Sequence, residues 1–158
     1  MDEPQSNPSC VPLYFLAKLA SEHVTVVLSG EGADEIFAGY ETYDISGLSR
    51  KYRKIPKFLR SAAAKCAAKL PYFKGHDFII KNGERPEDYY FGQACIFTDR
   101  EAMDILNDDC KNGRPAKAVA DEVYQKVSKK SELIKKQYID LALWLPGDIL
   151  LKADKMSM

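Results

Sequence analysis

The sequence predicts a mainly α-helical fold carrying one short parallel β element. Three observations predict it. Apolar residues recur at helical spacing over most of the chain. A single run, Val24-Thr25-Val26-Val27-Leu28, is β-branched and continuous rather than alternating, the pattern of a strand covered on both faces by helices in a parallel sheet. That run passes directly into Ser29-Gly30-Glu31-Gly32, a turn that opens another helical segment.

In chain order, Asn7-Pro8 caps and opens a first helix, expected from about Pro8 to Glu22, with Val11, Leu13, Tyr14, Leu16, Ala17 and Ala20 on its apolar stripe. The strand at Val24–Leu28 follows, and a helix is expected to start near Ala33. Beyond Gly39 the chain reads as helices: the alanine-rich stretch Pro56 to Leu70, an amphipathic stretch Arg85 to Cys95, and a capping box at Thr98-x-x-Glu101. Three more are expected at Pro115–Ser128, Ser131–Leu145 and Pro146–Lys155, the prolines serving as helix openers. Trp144 and the Tyr89-Tyr90-Phe91 cluster are expected in the core. Lysines 129, 130, 135 and 136 read as a solvated helix face, and His23 and His76 as surface or loop positions. A lone parallel strand leaves its backbone donors and acceptors unpaired, so its partners are expected outside this sequence. The ending LLKADKMSM lacks a glycine cap, a proline or a polar tail, and the chain is therefore expected to be a fragment of a larger domain.

Composition narrows the function. The 158 residues carry 23 basic and 23 acidic side chains, so no net charge favours a polyanion or an anionic membrane surface. No apolar run reaches the roughly 18 to 20 residues of a membrane span, and the start MDEPQSNPSC has neither the basic nor the apolar region of a signal peptide. Cys10, Cys66, Cys95 and Cys110 share no metal-binding spacing and read as free thiols of a reducing compartment. These features point to the cytoplasm, with neither nucleic acid nor membrane as partner.

The chemistry concentrates in Ser29-Gly30-Glu31-Gly32-Ala33-Asp34-Glu35. Glycines at 30 and 32 allow a sharp turn and close approach by a ligand, and the helix that follows offers unpaired N–H groups. Three carboxylates at this position admit two readings. They stabilise a helix terminus through its dipole, or they face a divalent cation carried by a nucleotide, because acids beside a bare phosphate would repel it. Other motifs are excluded: Glu35 stands where a dinucleotide fingerprint needs its third glycine, no Gly-Lys-Ser/Thr ending marks a P-loop, and Val27 occupies the first glycine of a nucleophile elbow around Ser29.

The stretch SGEGADEIFAGY resembles the signature of the glutamine-hydrolysing asparagine synthetase family, in its carboxyl-terminal ATP-pyrophosphatase domain. Asp2-Glu3-Pro4 with the Ser9 helix, the apolar run before Ser29 and the closing WLPGDILLKADKMSM agree in order, so the resemblance spans residues 1–158 as one partial synthetase domain. It implies a fragment of an α/β domain of the adenine-nucleotide α-hydrolase kind. It also implies an enzyme that uses ATP and Mg2+ to adenylate the side-chain carboxylate of aspartate, then lets ammonia displace AMP to give asparagine. On that resemblance Glu31 is the catalytic residue, Ser29, Gly30, Gly32 and Asp34 border ATP and pyrophosphate, and Asp34 is also the candidate Mg2+ ligand. Lys152, Asp154 and Lys155 are candidate contacts to phosphate or substrate. The implied partners are ATP, aspartate, ammonia from glutamine and a glutaminase domain of the same parent chain, with a homodimer as the expected assembly.

Departures from the family pattern are equally specific. The glutaminase domain with its leading cysteine, the Ser-Gly-Gly-x-Asp-Ser pyrophosphate loop and the downstream Glu-x-Arg-x-Pro-Phe-Leu-Asp stretch are not in this sequence, and Ala38 stands where glycine is frequent. Roughly half a site is expected here, with an active parent and an inactive fragment. A related amide-forming ligase acting on another carboxylate, or a non-catalytic helical scaffold, are the alternatives.

Overall fold

A computed structural model describes residues 7–43, 46–93 and 95–158. The first helix, α1 (Cys10–Ser21), starts behind Asn7, whose Oδ1 accepts from the Ser9 N–H at 3.1 Å and so satisfies one terminal donor. After it come α2 (Ala33–Phe37), α3 (Gly47–Tyr52), α4 (Lys57–Ala67) and α5 (His76–Gly83). The remaining helices are α6 (Pro86–Tyr89), α7 (Asp99–Ile105), α8 (Ala116–Lys126), α9 (Glu132–Ile139) and α10 (Leu151–Ser157). Local signals fix several of these ends. Ser46 and Ser131 accept from backbone N–H groups three residues on, and Thr98 with Glu101 forms the reciprocal capping box expected there.

The expected β element is not formed, and the mainly α plus β description is corrected to helical among the described residues. Val26 to Gly30 has no assigned secondary structure, and no strand appears anywhere in the described residues. The reason lies in pairing. A strand is stabilised by a neighbour that takes up its N–H and C=O groups, and residues Val26 to Leu28 make no backbone hydrogen bond to another described residue. Its side chains are accordingly bare, Val26 at 77 % and Leu28 at 95 % exposed. The α/β domain implied by the family resemblance therefore has no β element here.

The last third also differs from expectation. Instead of two helices separated at Pro146, the chain runs without interruption from α9 through a π-helical stretch, Asp140–Leu150, into α10. A proline inside an α-helix removes one N–H and its ring strikes the carbonyl one turn back. The wider π winding, in which bonds close over five residues, carries the backbone past Pro146. The amphipathic stretch from Arg85 contracts to the single turn α6, opened by Pro86.

The core gathers where α8 and α9 pack on each other and on α6. Tyr43, Tyr90, Ala120, Val123, Tyr124, Val127 and Ile139 are buried together, with Tyr89 and Phe91 packed at the edge as expected. Trp144 is half-buried and lies outside this cluster. At its centre the fully buried Asp140 accepts hydrogen bonds from the hydroxyls of Tyr43 and Tyr90 and from the Gln93 N–H at 3.1 Å. Burial raises the Asp140 carboxyl above its ordinary value, and those three donors work against the shift. Elsewhere α4 packs on α5 and α1 on α10. His76 opens α5 with its Nε2 at 3.2 Å from the Ala67 carbonyl, while His23 is exposed. All four cysteines are free thiols. Among the described residues no helix is long and apolar enough to cross a membrane.

Burial is the largest influence on the tyrosines of this core, and it raises the phenols of Tyr43, Tyr89, Tyr90 and Tyr124 well above 10, with Tyr40 pushed up to about 12. A group whose folded value is raised stabilises fully below its unfolded value and loses that contribution as pH climbs through the folded one. Above pH 10 the unfolded chain releases phenolic protons that the native chain retains, so stability must fall. Thermal melts of this chain from pH 8 to 12 are expected to hold steady up to about pH 10 and then drop steeply, with the phenolate absorbance of the buried tyrosines appearing together with unfolding. A melting temperature that stays level from pH 10 to 12 would contradict this core.

Candidate active site

The turn at residues 29–35 is built by two glycines with different tasks. The Ser29 Oγ accepts from the Glu31 N–H at 3.4 Å, and the Ala33 N–H closes on the Gly30 carbonyl at 3.2 Å. Gly32 then takes φ +89° as the residue before α2, in the left-handed region where a side chain is strained, and a β-carbon there would lie 3.4 Å from the Leu145 side chain. The helix starts at Ala33, as the sequence indicates, but is only five residues long.

Its three acids have three different environments. Glu35 is fully buried and accepts from the Tyr40 hydroxyl at 2.7 Å, while Gln137 Nε2 donates to the Glu35 carbonyl at 3.0 Å. It fastens α2 to the core. Asp34 is exposed, and its Oδ1 lies so close to Gly39 that a β-carbon at position 39 would overlap it. Glu31 turns the other way. Its Oε1 lies 3.5 Å from Lys152 Nζ, and the Glu31 side chain is 29 % exposed against 6 % for Lys152. Lys152 also donates to Ser9 Oγ at 3.0 Å, so the opening of α1, the turn before α2 and α10 meet at one ammonium group.

The candidate residues are thus partly assembled. Ser29, Gly30, Glu31, Gly32 and Asp34 form one continuous turn, and Lys152 is brought to it from far along the chain. Asp154 and Lys155 lie exposed on α10. The Asp2-Glu3-Pro4 motif lies outside the described residues. No group of three His, Cys, Asp or Glu side chains that could hold a metal ion occurs among the described residues. The donor set suits a different arrangement: Mg2+ commonly rests on one or two carboxylates and fills its remaining positions with water and phosphate oxygens. A single exposed Asp34 fits an ion that arrives on a nucleotide and not a resident one.

A second polar constellation escaped the sequence reading. Lys136, expected on a solvated face, is buried, with Nζ donating to the Thr42 carbonyl at 2.9 Å and lying over the rings of Tyr89 and Tyr90. Burial lowers its ammonium below the ordinary value, opposed by Glu132 at 3.8 Å. Glu132 is gripped by both Arg53 guanidinium nitrogens, at 2.6 and 2.9 Å, and by the Tyr89 hydroxyl at 3.0 Å. Burial works to raise that carboxyl, but Arg53 outweighs it and holds the group low. Arg53, Asn82, Tyr89 and Lys136 line a cleft of about 140 Å³. Lys135 is likewise no solvated charge, pairing with Glu87 at 2.6 Å, whereas Lys129 and Lys130 are exposed as expected. The Glu132–Lys136 spacing of four residues on one helix was the available signal.

With this geometry in view, the comparisons with known proteins are decisive at the family level. The asparagine synthase family profile matches residues 1–158, and the chain belongs to that family. It is 39 % identical over 158 residues to asparagine synthetase [glutamine-hydrolyzing] 1 of Bacillus subtilis, covering 99 % of this chain and 25 % of that protein. A putative asparagine synthetase [glutamine-hydrolyzing] of Mycobacterium tuberculosis is 37 % identical over 159 residues, covering 100 % of this chain and 24 % of the relative. The putative asparagine synthetase [glutamine-hydrolyzing] 2 of Methanocaldococcus jannaschii is 45 % identical over 100 residues, which is 56 % of this chain and 18 % of the relative. The chain spans about a quarter of the length of the first two. No solved structure matches it.

The end of α2 shows what the alanine at position 38 costs. Ala38 has φ +60°, and its N–H and that of Gly39 both close on the Asp34 carbonyl. Left-handed closure of this kind favours glycine, and an alanine there is strained by about 1 to 2 kcal/mol. Part of that gain is offset by the greater freedom of an unfolded glycine. Ala38→Gly is expected to stabilise this chain by about 0.5 to 1 kcal/mol in urea unfolding. Destabilisation would mean that residue 38 does not adopt the left-handed conformation.

Proposed function

We propose that this chain is the part of an ATP-dependent, glutamine-hydrolysing asparagine synthetase that carries the turn facing the reacting carboxylate. An oxygen of the aspartate side-chain carboxylate attacks the α-phosphorus of ATP, the bond to pyrophosphate breaks, and a mixed anhydride with AMP results. Ammonia, released from glutamine by a glutaminase domain of the parent, then attacks the anhydride carbon. The carbon–oxygen bond to AMP breaks, and the nitrogen sheds a proton as the amide forms. Adenylation is the step that turns an unreactive carboxylate into an acyl donor.

In this reading Glu31 takes part in forming the aspartyl-adenylate and is then the base that takes the proton from the attacking nitrogen. Ser29, Gly30 and Gly32 border the nucleotide, where the bare backbone of the turn permits close approach. Asp34 would offer one carboxylate to Mg2+, which when bound would supply neutralisation of phosphate charge. Asp154 and Lys155, exposed on α10, are candidate contacts for phosphate or aspartate. The same reading assigns the parent to the cytoplasm and to a homodimeric assembly. What supports it most is the family match along residues 1–158, which takes in the signature turn.

Glu31→Gln in the intact parent protein tests the role of the turn. Glutamine keeps shape and hydrogen bonding but neither the charge nor the basicity. MgATP affinity is expected to change little, while aspartate-dependent ATP/pyrophosphate exchange and asparagine production fall about 100-fold, the lower range for loss of an acid–base group. Rates at the unsubstituted level in both assays would return Glu31 to the role of an acid that merely stabilises a helix start.

A further inference from the structure

The geometry points to Lys152 as a positioning residue that fixes the Glu31 carboxylate, and not as a direct contact to phosphate or substrate. An ammonium group removed from water must be matched by acceptors, and Lys152 finds them in Glu31 Oε1 at 3.5 Å and Ser9 Oγ at 3.0 Å. Its side chain is 6 % exposed, leaving little surface for a ligand, while Glu31 at 29 % keeps the open side of the pair. The charge at the ligand face is therefore the carboxylate, and the lysine stands behind it.

The lysine is itself held from both sides of the chain. Ser9 Oγ donates to Asn7 Oδ1 at 2.7 Å, and Asn7 Nδ2 donates to Asp148 Oδ2 at 2.8 Å. Asp148 precedes Lys152 by four residues in the same continuous helical run, so residues 7–9 are stapled to that run at two points. The result is a closed polar chain, Asp148 to Asn7 to Ser9 to Lys152 to Glu31, in which the last member alone carries chemistry. A carboxylate on a glycine-flanked turn would otherwise sample several rotamers. Ion pairing to a buried, doubly anchored lysine selects one of them, which is the preorganisation that acid–base groups need.

This inference rests on the reading of Glu31 as the base, and the experiment separates the two. In the intact parent protein, Lys152→Met, Lys152→Arg, Glu31→Gln and the Lys152→Met/Glu31→Gln double variant are compared in asparagine formation and in aspartate-dependent ATP/pyrophosphate exchange. Lys152→Met is expected to lower kcat about 10-fold or more while KM for ATP and for aspartate stay within about 2-fold, and Lys152→Arg to recover most of the loss. In the Glu31→Gln background the lysine substitution is expected to cost less than about 2-fold, since both act through one group. A raised KM with kcat intact, or losses that multiply in the double variant, would overturn the inference in favour of direct ligand contact. Glu31→Gln impaired beside a fully active Lys152→Met would sink the positioning role alone. Full activity of Glu31→Gln would sink the base reading and this inference with it. Should Lys152→Met not fold, Lys152→Gln, which keeps length and a donor, carries the same comparison.

Discussion

The carboxylate of Asp140 is the constraint on which the rest of this structure depends. It is fully buried and collects the hydroxyls of Tyr43 and Tyr90 and the backbone N–H of Gln93. Those donors come from the segment after α2, from the end of α6 and from the loop beyond it, so one side chain on the final helical run ties three separate parts of the chain together. A buried ionised group is tolerated only when its hydrogen-bonding capacity is met, and the converse holds for the tyrosines, whose hydroxyls sit in the core because an acceptor waits there. Glu35 repeats the arrangement nearby with Tyr40, anchoring α2.

From Asp140 the chain continues without a break through Pro146 to Lys152. The π-helical winding matters here because a kink at the proline would redirect α10. With the run uninterrupted, Asp140 organises the aromatic core at one end and Lys152 meets Glu31 and Ser9 at the other. Leu145, between them, packs against Gly32 and closes the underside of the signature turn. The turn is therefore supported along one helical element, although the residues of that turn and of the run lie more than a hundred positions apart in sequence.

Features decided within a few residues were legible before the structure. The capping box at Thr98, the helix starts at Ser131 and Ala33, and the bulk of α1, α4 and α8 follow from local chemistry. Features decided by distant partners were not. Val24–Leu28 has every strand property except a neighbour, and strand propensity expresses packing against neighbours more than a backbone preference. Pro146 read as a helix opener because the wider winding has no sequence signature. Lys136 read as solvated because the aromatic faces that cover it come from Tyr89 and Tyr90. Asp140 carried a cue in its setting, Tyr138-Ile139-Asp140-Leu141-Ala142-Leu143, where a single acid in an apolar run marks a buried, satisfied carboxylate. For the site, the turn itself was legible and Lys152 was named, but its attachment to Glu31 emerges only from the fold.

Equilibrium urea unfolding of the Asp140→Ala chain, followed by tyrosine fluorescence, measures the central constraint directly. Removing the carboxylate strands two buried hydroxyls and one N–H, each worth about 1 to 3 kcal/mol when left without an acceptor. A loss of about 3 kcal/mol or more, or failure to fold, is the predicted result. A loss below about 0.5 kcal/mol, the range of an ordinary surface substitution, would contradict the placement of Asp140 at the centre of this fold.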